Sequence, residues 1–346
     1  MSTNITIFVA HKGNLFAAEL RVKMNKLLKN TLNLIVPLTI GALTLYWVYK
    51  DFDFESISLV LSQGIEWKWM MLSLFFGVFS HIVRGWRWKL MLAPMGVTPR
   101  TSNCVNSIFV AYAANLLLPR VGEVSRCAVL NKYDKISFSK LLGSVVSERL
   151  VDVGSILFIA VLTFVLNAKT FSSFFGITGL NFPPLTSAVY LTLFIVLLLL
   201  LVFIFWRVLL QVKRFKLIVE NLKTGIKSIL QMKQKGWFLF YTLLMWLSYY
   251  LHFYLTFYCF NFTSSLGPIA GLVLFVLGTF AVIVPTPNGA GPWHFAIISM
   301  LTLYGVKEAD GGTFALIVHG IQTFLVVLLG IYALIALPII NKKKYV

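Results

Sequence analysis

The chain has 346 residues, 58% hydrophobic and only 12% charged, with a mean hydropathy of +0.84. Several apolar stretches approach the roughly 20 residues that a helix needs to cross hydrocarbon, which excludes a soluble globular domain and indicates a polytopic helical membrane protein. The net charge of +18 falls mostly between apolar segments, as in cytoplasmic loops beside anionic lipid, and no soluble basic domain exists to bind nucleic acid.

Residues 1–30 are basic and weakly apolar, without the small-residue cleavage site of a secretory signal, and read as a cytoplasmic segment. Met24, in "MNKLLKN", offers a second start, which would make residues 1–23 dispensable. Spanning helices are predicted over Thr31 to Tyr49, Trp67 to about Arg84 with an amphipathic tail, about Leu141 to Leu166, Leu185 to Trp206, Trp237 to Phe260, and Thr313 to Ile340.

Two further apolar runs, Asn103 to Leu118 and Pro268 to Val284, hold 16 and 17 residues and end at prolines. As helices they reach about 24 to 26 Å, short for a crossing, and they suit re-entrant hairpins. Charge bias agrees. A full crossing at the first run would place Arg120, Arg126, Lys132, Lys135 and Lys140 outside, against the positive-inside rule. The basic segment from Arg207 to Lys235 is cytoplasmic by the same rule, so the second hairpin enters from the outer side. Its amphipathic part, Gln211 to Lys235, suits an interfacial helix on the inner leaflet.

The predicted fold is an all-α polytopic membrane protein of six spanning helices plus two re-entrant helical hairpins, both termini cytoplasmic, in the cell's inner (cytoplasmic) membrane. Residues 31–340 form the membrane domain, with halves over about 31–167 and 185–340. Residues 341–346 are a basic tail. Each half reads span, span, hairpin, span, and the second copy is inverted, the inverted-topology repeat of many secondary transporters.

Polar residues inside this frame carry the chemistry. The first hairpin turns at "LLLPRVGEVSR", where Pro119 and Gly122 break the helix; Arg120, Glu123 and Arg126 follow at i, i+3, i+6. Arginine forks match phosphate oxygens. The same residues also suit a basic loop meeting water. The next span opens "SERLVDV": Glu148 and Asp152 share one helix face, and Arg149 is placed to pair with Asp152. Asp152 lies about 16 Å deep, so these carboxylates must face a cavity or a partner, as a coupling-ion or proton site or as an internal ion-pair lock. Arg84 and Arg87, with Trp86 and Trp88, read as a snorkelling interface belt. His81 reads as interfacial, His252 and His319 as packing residues.

In "VIVPTPNGAGPWHFAI", Pro285 and Pro287 stop one half-helix, Gly289 and Gly291 let the backbone turn, and Pro292 suits the first turn of the return helix. Cys104, Cys127 and Cys259 lack metal-ligand spacing and read as isolated thiols; no metal site and no cofactor are expected.

"LPRVGEVSR", "SERLVDV" and "PTPNGAGPWH" resemble, in order and spacing, the polar motifs of the lysylphosphatidylglycerol synthase transmembrane region, or flippase-like domain, family, over about residues 30 to 340. The resemblance implies a membrane domain that moves or presents lipids with anionic or glycosylated head groups. It puts head-group contacts at Arg120, Gly122, Glu123, Arg126, Pro285, Pro287, Asn288, Gly289, Gly291 and His294, and coupling or ion-pair roles at Glu148, Arg149 and Asp152. Family members often carry a carboxylate in place of His294 and Gly in place of Asn288. The chain stops six residues after the last span, so no cytosolic aminoacyl-transfer domain is expected.

The first functional expectation is a flippase or transporter for an anionic or polyprenyl-phosphate-linked lipid, with no catalytic residue. The second is a membrane-embedded transferase or hydrolase using Glu123, Asp152 or His294 as general base. Against it, no nucleophile and base pair, metal-ligand cluster or phosphate loop is present. The third is an accessory subunit that presents lipid to a partner envelope enzyme.

Overall fold

The computed structural model describes residues 35–52, 55–62, 64–166 and 232–342. The expected span over 185–206, nearly all of the amphipathic stretch 211–235, the basic segment 1–30 and residues 343–346 of the tail lie outside the described residues. Every regular element among the described residues is helical. In chain order these are α1 Ile35–Tyr49, α2 Glu55–Ser62, α3 Trp67–Leu92, α4 Thr101–Leu117, α5 Gly122–Asp134 and α6 Phe138–Leu166. They continue with α7 Lys235–Tyr254, extended by a 3-10 turn through Cys259, then α8 Pro268–Ala281, α9 Pro292–Leu303 and α10 Glu308–Asn341.

Among the described residues, three helices are long and apolar enough to cross a membrane: Phe138–Leu166, Lys235–Cys259 and Glu308–Asn341. Their outward faces carry Phe158, Leu162, Leu243, Phe324, Leu334 and Ile339, all exposed, as lipid contact requires. α1 is apolar but shorter, and α3 has the length but carries Lys68, Arg84, Arg87 and Lys89.

The predicted breakers act where the sequence places them. Leu118 is extended because Pro119 follows it, and Arg120 turns the chain through a left-handed φ of 67° before α5 begins at Gly122. Gly122 is required there: a Cβ would run into the carbonyl of Ala111 across the turn, and the Gly122 amide donates to Asn115 Oδ1 at 2.8 Å. At the other end of the pair, the amides of Arg100 and Asn103 donate to Asp134 at 3.3 and 2.9 Å, the first through its backbone and the second through its side chain. Thus α4 and α5 leave and return at one end. Pro268 and Pro292 each open a helix at its first turn, and α8 and α9 pack together as a second pair.

α3 and α7 run antiparallel along each other: Trp69 meets Tyr258 at 4.9 Å, and Trp86 meets Tyr241 at 5.9 Å. α3 therefore ends, at Lys89 bonded to Thr101, where the α4/α5 pair begins, whereas α7 ends at the opposite pole, where α8 begins. The two pairs begin at opposite poles and their tips touch, Arg120 Nη2 donating to the Ile283 carbonyl at 3.3 Å. The packing is reciprocal, for α4 packs on α10 and α8 packs on α6. Each pair has its own core, around Trp88, Cys104, Ile108 and Leu141 for the first, and Phe257, Leu274, Ile297 and Phe314 for the second.

Candidate functional site

The residues of "SERLVDV" lie on α6 opposite the end of α3, and the two helices meet through charge. Glu148 Oε1 accepts from Arg84 Nε at 3.0 Å and from Arg87 Nη2 at 2.9 Å; Glu148 Oε2 accepts from Arg126 Nη1 at 2.6 Å. Asp152 Oδ1 accepts from Arg87 Nη2 at 2.7 Å, and Oδ2 accepts from Arg84 Nη2 at 2.9 Å and Arg149 Nη1 at 3.3 Å. Glu123 closes the ring, ion-paired to Arg126 at 2.7 Å and to Arg149.

These groups are withdrawn from solvent: exposure is 4% for Arg84, 0% for Arg87, 1% for Arg126, 0% for Glu148 and 7% for Asp152. The expectation that Arg84 and Arg87 snorkel to an interface is therefore wrong. Their flanking tryptophans suggested a belt, but Trp88 is itself buried, its indole bonded to Ser144 and its ring 4.6 Å from the Arg126 guanidinium carbon. Arg84 also donates to the Tyr112 hydroxyl at 2.8 Å, which shares a 2.7 Å hydrogen bond with Tyr249 of α7.

The cluster is not neutral. Four arginines (84, 87, 126, 149) face three carboxylates (123, 148, 152), an excess of one positive charge. Arg87 Nε and Nη1 and Arg126 Nε are buried without a hydrogen-bond partner among the described residues. Unpaired donors in a low-dielectric interior are costly, and anion oxygens are what they bind best.

The family model described as lysylphosphatidylglycerol synthase TM region matches residues 34–330. The chain belongs to that family. No curated protein and no solved structure matches it. Membership makes it a membrane protein with a lipid-related role, consistent with its apolar helices.

Of the residues that the lysylphosphatidylglycerol synthase motifs single out, Glu123, Arg126, Glu148, Arg149 and Asp152 come together in this one cluster. Arg120 does not join it; it lies exposed at the tip of the α4/α5 turn, against the second pair. The glycine-proline motif forms the other tip. Pro287–Gly289 make a 3-10 turn with Asn288 at φ 52°, and Gly291, at φ 90°, stands where a Cβ would strike Thr44 of α1. Asn288 donates to Thr323 Oγ1 at 2.7 Å, and His294 is buried beside His319, their ring centroids 4.6 Å apart. His319 is thus more than a packing residue. His252 is also engaged, its Nδ1 lying 2.8 Å from the Ser73 carbonyl.

Arg84, Arg87, Tyr112, Tyr249 and His319 are the site residues that local sequence reasoning missed. One signal was available for two of them: Arg84 and Arg87 share a face at i, i+3, as Glu148 and Asp152 do at i, i+4.

Proposed function

We propose that the chain is a transporter that moves an anionic or polyprenyl-phosphate-linked lipid between leaflets. The observation that carries this reading is the buried, cationic-excess cluster with arginine donors left over on Arg87 and Arg126. A phosphate supplies the charge and the oxygens that such a cluster lacks. Arg120, exposed where the two tips meet, is the residue we assign to first contact with the head group. All four oxygens of Glu148 and Asp152 are engaged by guanidinium groups, so we assign these carboxylates to charge balance and to joining α3, α5 and α6, rather than to binding a coupling cation.

Six crossings, re-entrant hairpins, an inverted repeat and cytoplasmic termini in the inner membrane complete the reading. It is supported by the opposed entry of α4/α5 and α8/α9, by their touching tips, and by the reciprocal packing of α4 on α10 and α8 on α6. Two inverted halves that share one site give two access states as they rock. In this reading the chain performs no covalent chemistry.

The test is leaflet exchange in liposomes holding the purified protein and fluorescent phosphatidylglycerol or a fluorescent polyprenyl phosphate. Protein-dependent exchange is expected, lost in Arg120→Ala with the unfolding midpoint unchanged. Absence of exchange for both lipids would sink the transport reading, and a new lipid product by mass spectrometry would replace it with an enzymatic one.

A further inference from the structure

A second set of titratable groups lies at the α8/α9 tip, away from the arginine cluster. His294, on the first turn of α9, accepts the Gly291 amide at its Nδ1 (3.3 Å), which fixes its lone pair there and its hydrogen on Nε2. His319, on α10, has Nε2 at 3.1 Å from the Asn288 carbonyl, which requires a hydrogen on that nitrogen and leaves the lone pair on Nδ1. The Asn288 side-chain amide lies 3.5 Å from the same nitrogen but donates to Thr323 Oγ1 at 2.7 Å instead. Both tautomers are therefore set by the backbone of a single loop. One basic nitrogen, His319 Nδ1, is free of these bonds.

We propose that His294 and His319 form a single proton-binding site that takes one proton per pair, at His319 Nδ1. Protonation there forms an N–H bond from a solvent proton, leaves both backbone hydrogen bonds intact, and makes the ring an imidazolium. A second proton is excluded. It would have to take the His294 Nδ1 lone pair, which would oppose the Gly291 N–H, undo the cap of α9 and put two cations 4.6 Å apart. The described residues that touch the pair hold one other titratable group, Tyr49 of α1, edge-on to His294 at 5.7 Å, with its hydroxyl donating to the Gly312 carbonyl at 3.3 Å. The contacts from Trp293, the 286–289 turn and Thr323 carry no charge. The charge state of the pair is thus governed by the pair itself, and it reports to the tip through Asn288 and Gly291. This inference is independent of lipid transport.

Trp293 is a built-in reporter, 5.2 Å from His319 and 5.4 Å from His294, and an imidazolium in such contact quenches indole emission. The full chain in nanodiscs is titrated from about pH 8 to about pH 4. Wild type minus Trp293→Phe isolates the reporter. A quenching step that fits one proton is expected. It should vanish in His319→Gln, whose Nε2 keeps the bond to the Asn288 carbonyl, and persist in His294→Asn, whose Oδ1 keeps the α9 cap. Absence of a Trp293-dependent step in wild type overturns the proposal whether or not the variants fold. So does an unchanged step in His319→Gln, or a step that needs two protons.

Discussion

Glu148→Gln tests whether the buried cluster is held by charge. The substitution keeps the shape and one acceptor oxygen, which can still receive Arg84 Nε and Arg87 Nη2. It replaces the oxygen that meets Arg126 Nη1 at 2.6 Å with a donor, so one charge-assisted bond of about 1.5–3 kcal/mol is lost and becomes a donor–donor contact. The count becomes four arginines against two carboxylates, doubling the positive excess from one to two. Removing one partner of a buried pair costs about 3–5 kcal/mol, or roughly two to three and a half decades in the folding equilibrium. An SDS titration in mixed micelles, followed by far-UV circular dichroism, measures it. Adding Arg87→Met returns the excess to one (three arginines, two carboxylates) and should recover at least about 1 kcal/mol by removing the uncompensated charge. A loss in Glu148→Gln below about 1 kcal/mol, the level of an exposed ion pair, would refute the reasoning.

Gly122→Ala pushes a Cβ into the Ala111 carbonyl, a backbone atom that cannot swing aside, and should cost about 1–3 kcal/mol in the same titration, whereas Gly143→Ala, with open space around it, should not. Asn103→Ala strips partners from Asp134 and Asn341 together; about 1–3 kcal/mol is expected, along with faster proteolysis at the C-terminal end of α10. Topology is checked by labelling: with the three native cysteines buried, a cysteine at Ser265 should react with an impermeant maleimide from outside and one at Thr98 should not. Labelling at Thr98 and not at Ser265 would reverse the assignment of the poles, and equal labelling of both from one side would refute their placement at opposite poles.

The helices were legible because their signals are local. The apolar run ending at Leu118 and the one beginning at Pro268 became α4 and α8 within a few residues, and Pro292 opens α9 as its fixed φ suggests. The pairing of Arg149 with Asp152, three residues apart, was equally readable. Arg84 and Arg87 were not, since their carboxylates lie at least 61 residues along the chain and their tryptophan neighbours imitate an interface. The same distance hid His319, 31 residues from the Asn288 carbonyl that orients it, and joined Tyr112 to Tyr249 across 137. Such pairings are set by which helices pack, which periodicity does not encode.

The arginine–carboxylate cluster also constrains the order in which the protein is built. α3 leaves the ribosome before α6, so a nascent chain has Arg84 and Arg87 in hand while Glu148 and Asp152 are still unmade. Bare guanidinium groups cannot remain deep in lipid, and until α6 arrives the end of α3 must stay at the membrane surface, its long side chains reaching water. Biosynthesis then includes a docking step, before the second half of the chain is made, in which α3 slides inward as its counter-charges appear. Nascent chains stalled with α6 inside the ribosome should leave a cysteine at Val83 open to a water-soluble reagent, and chains released past residue 166 should protect it.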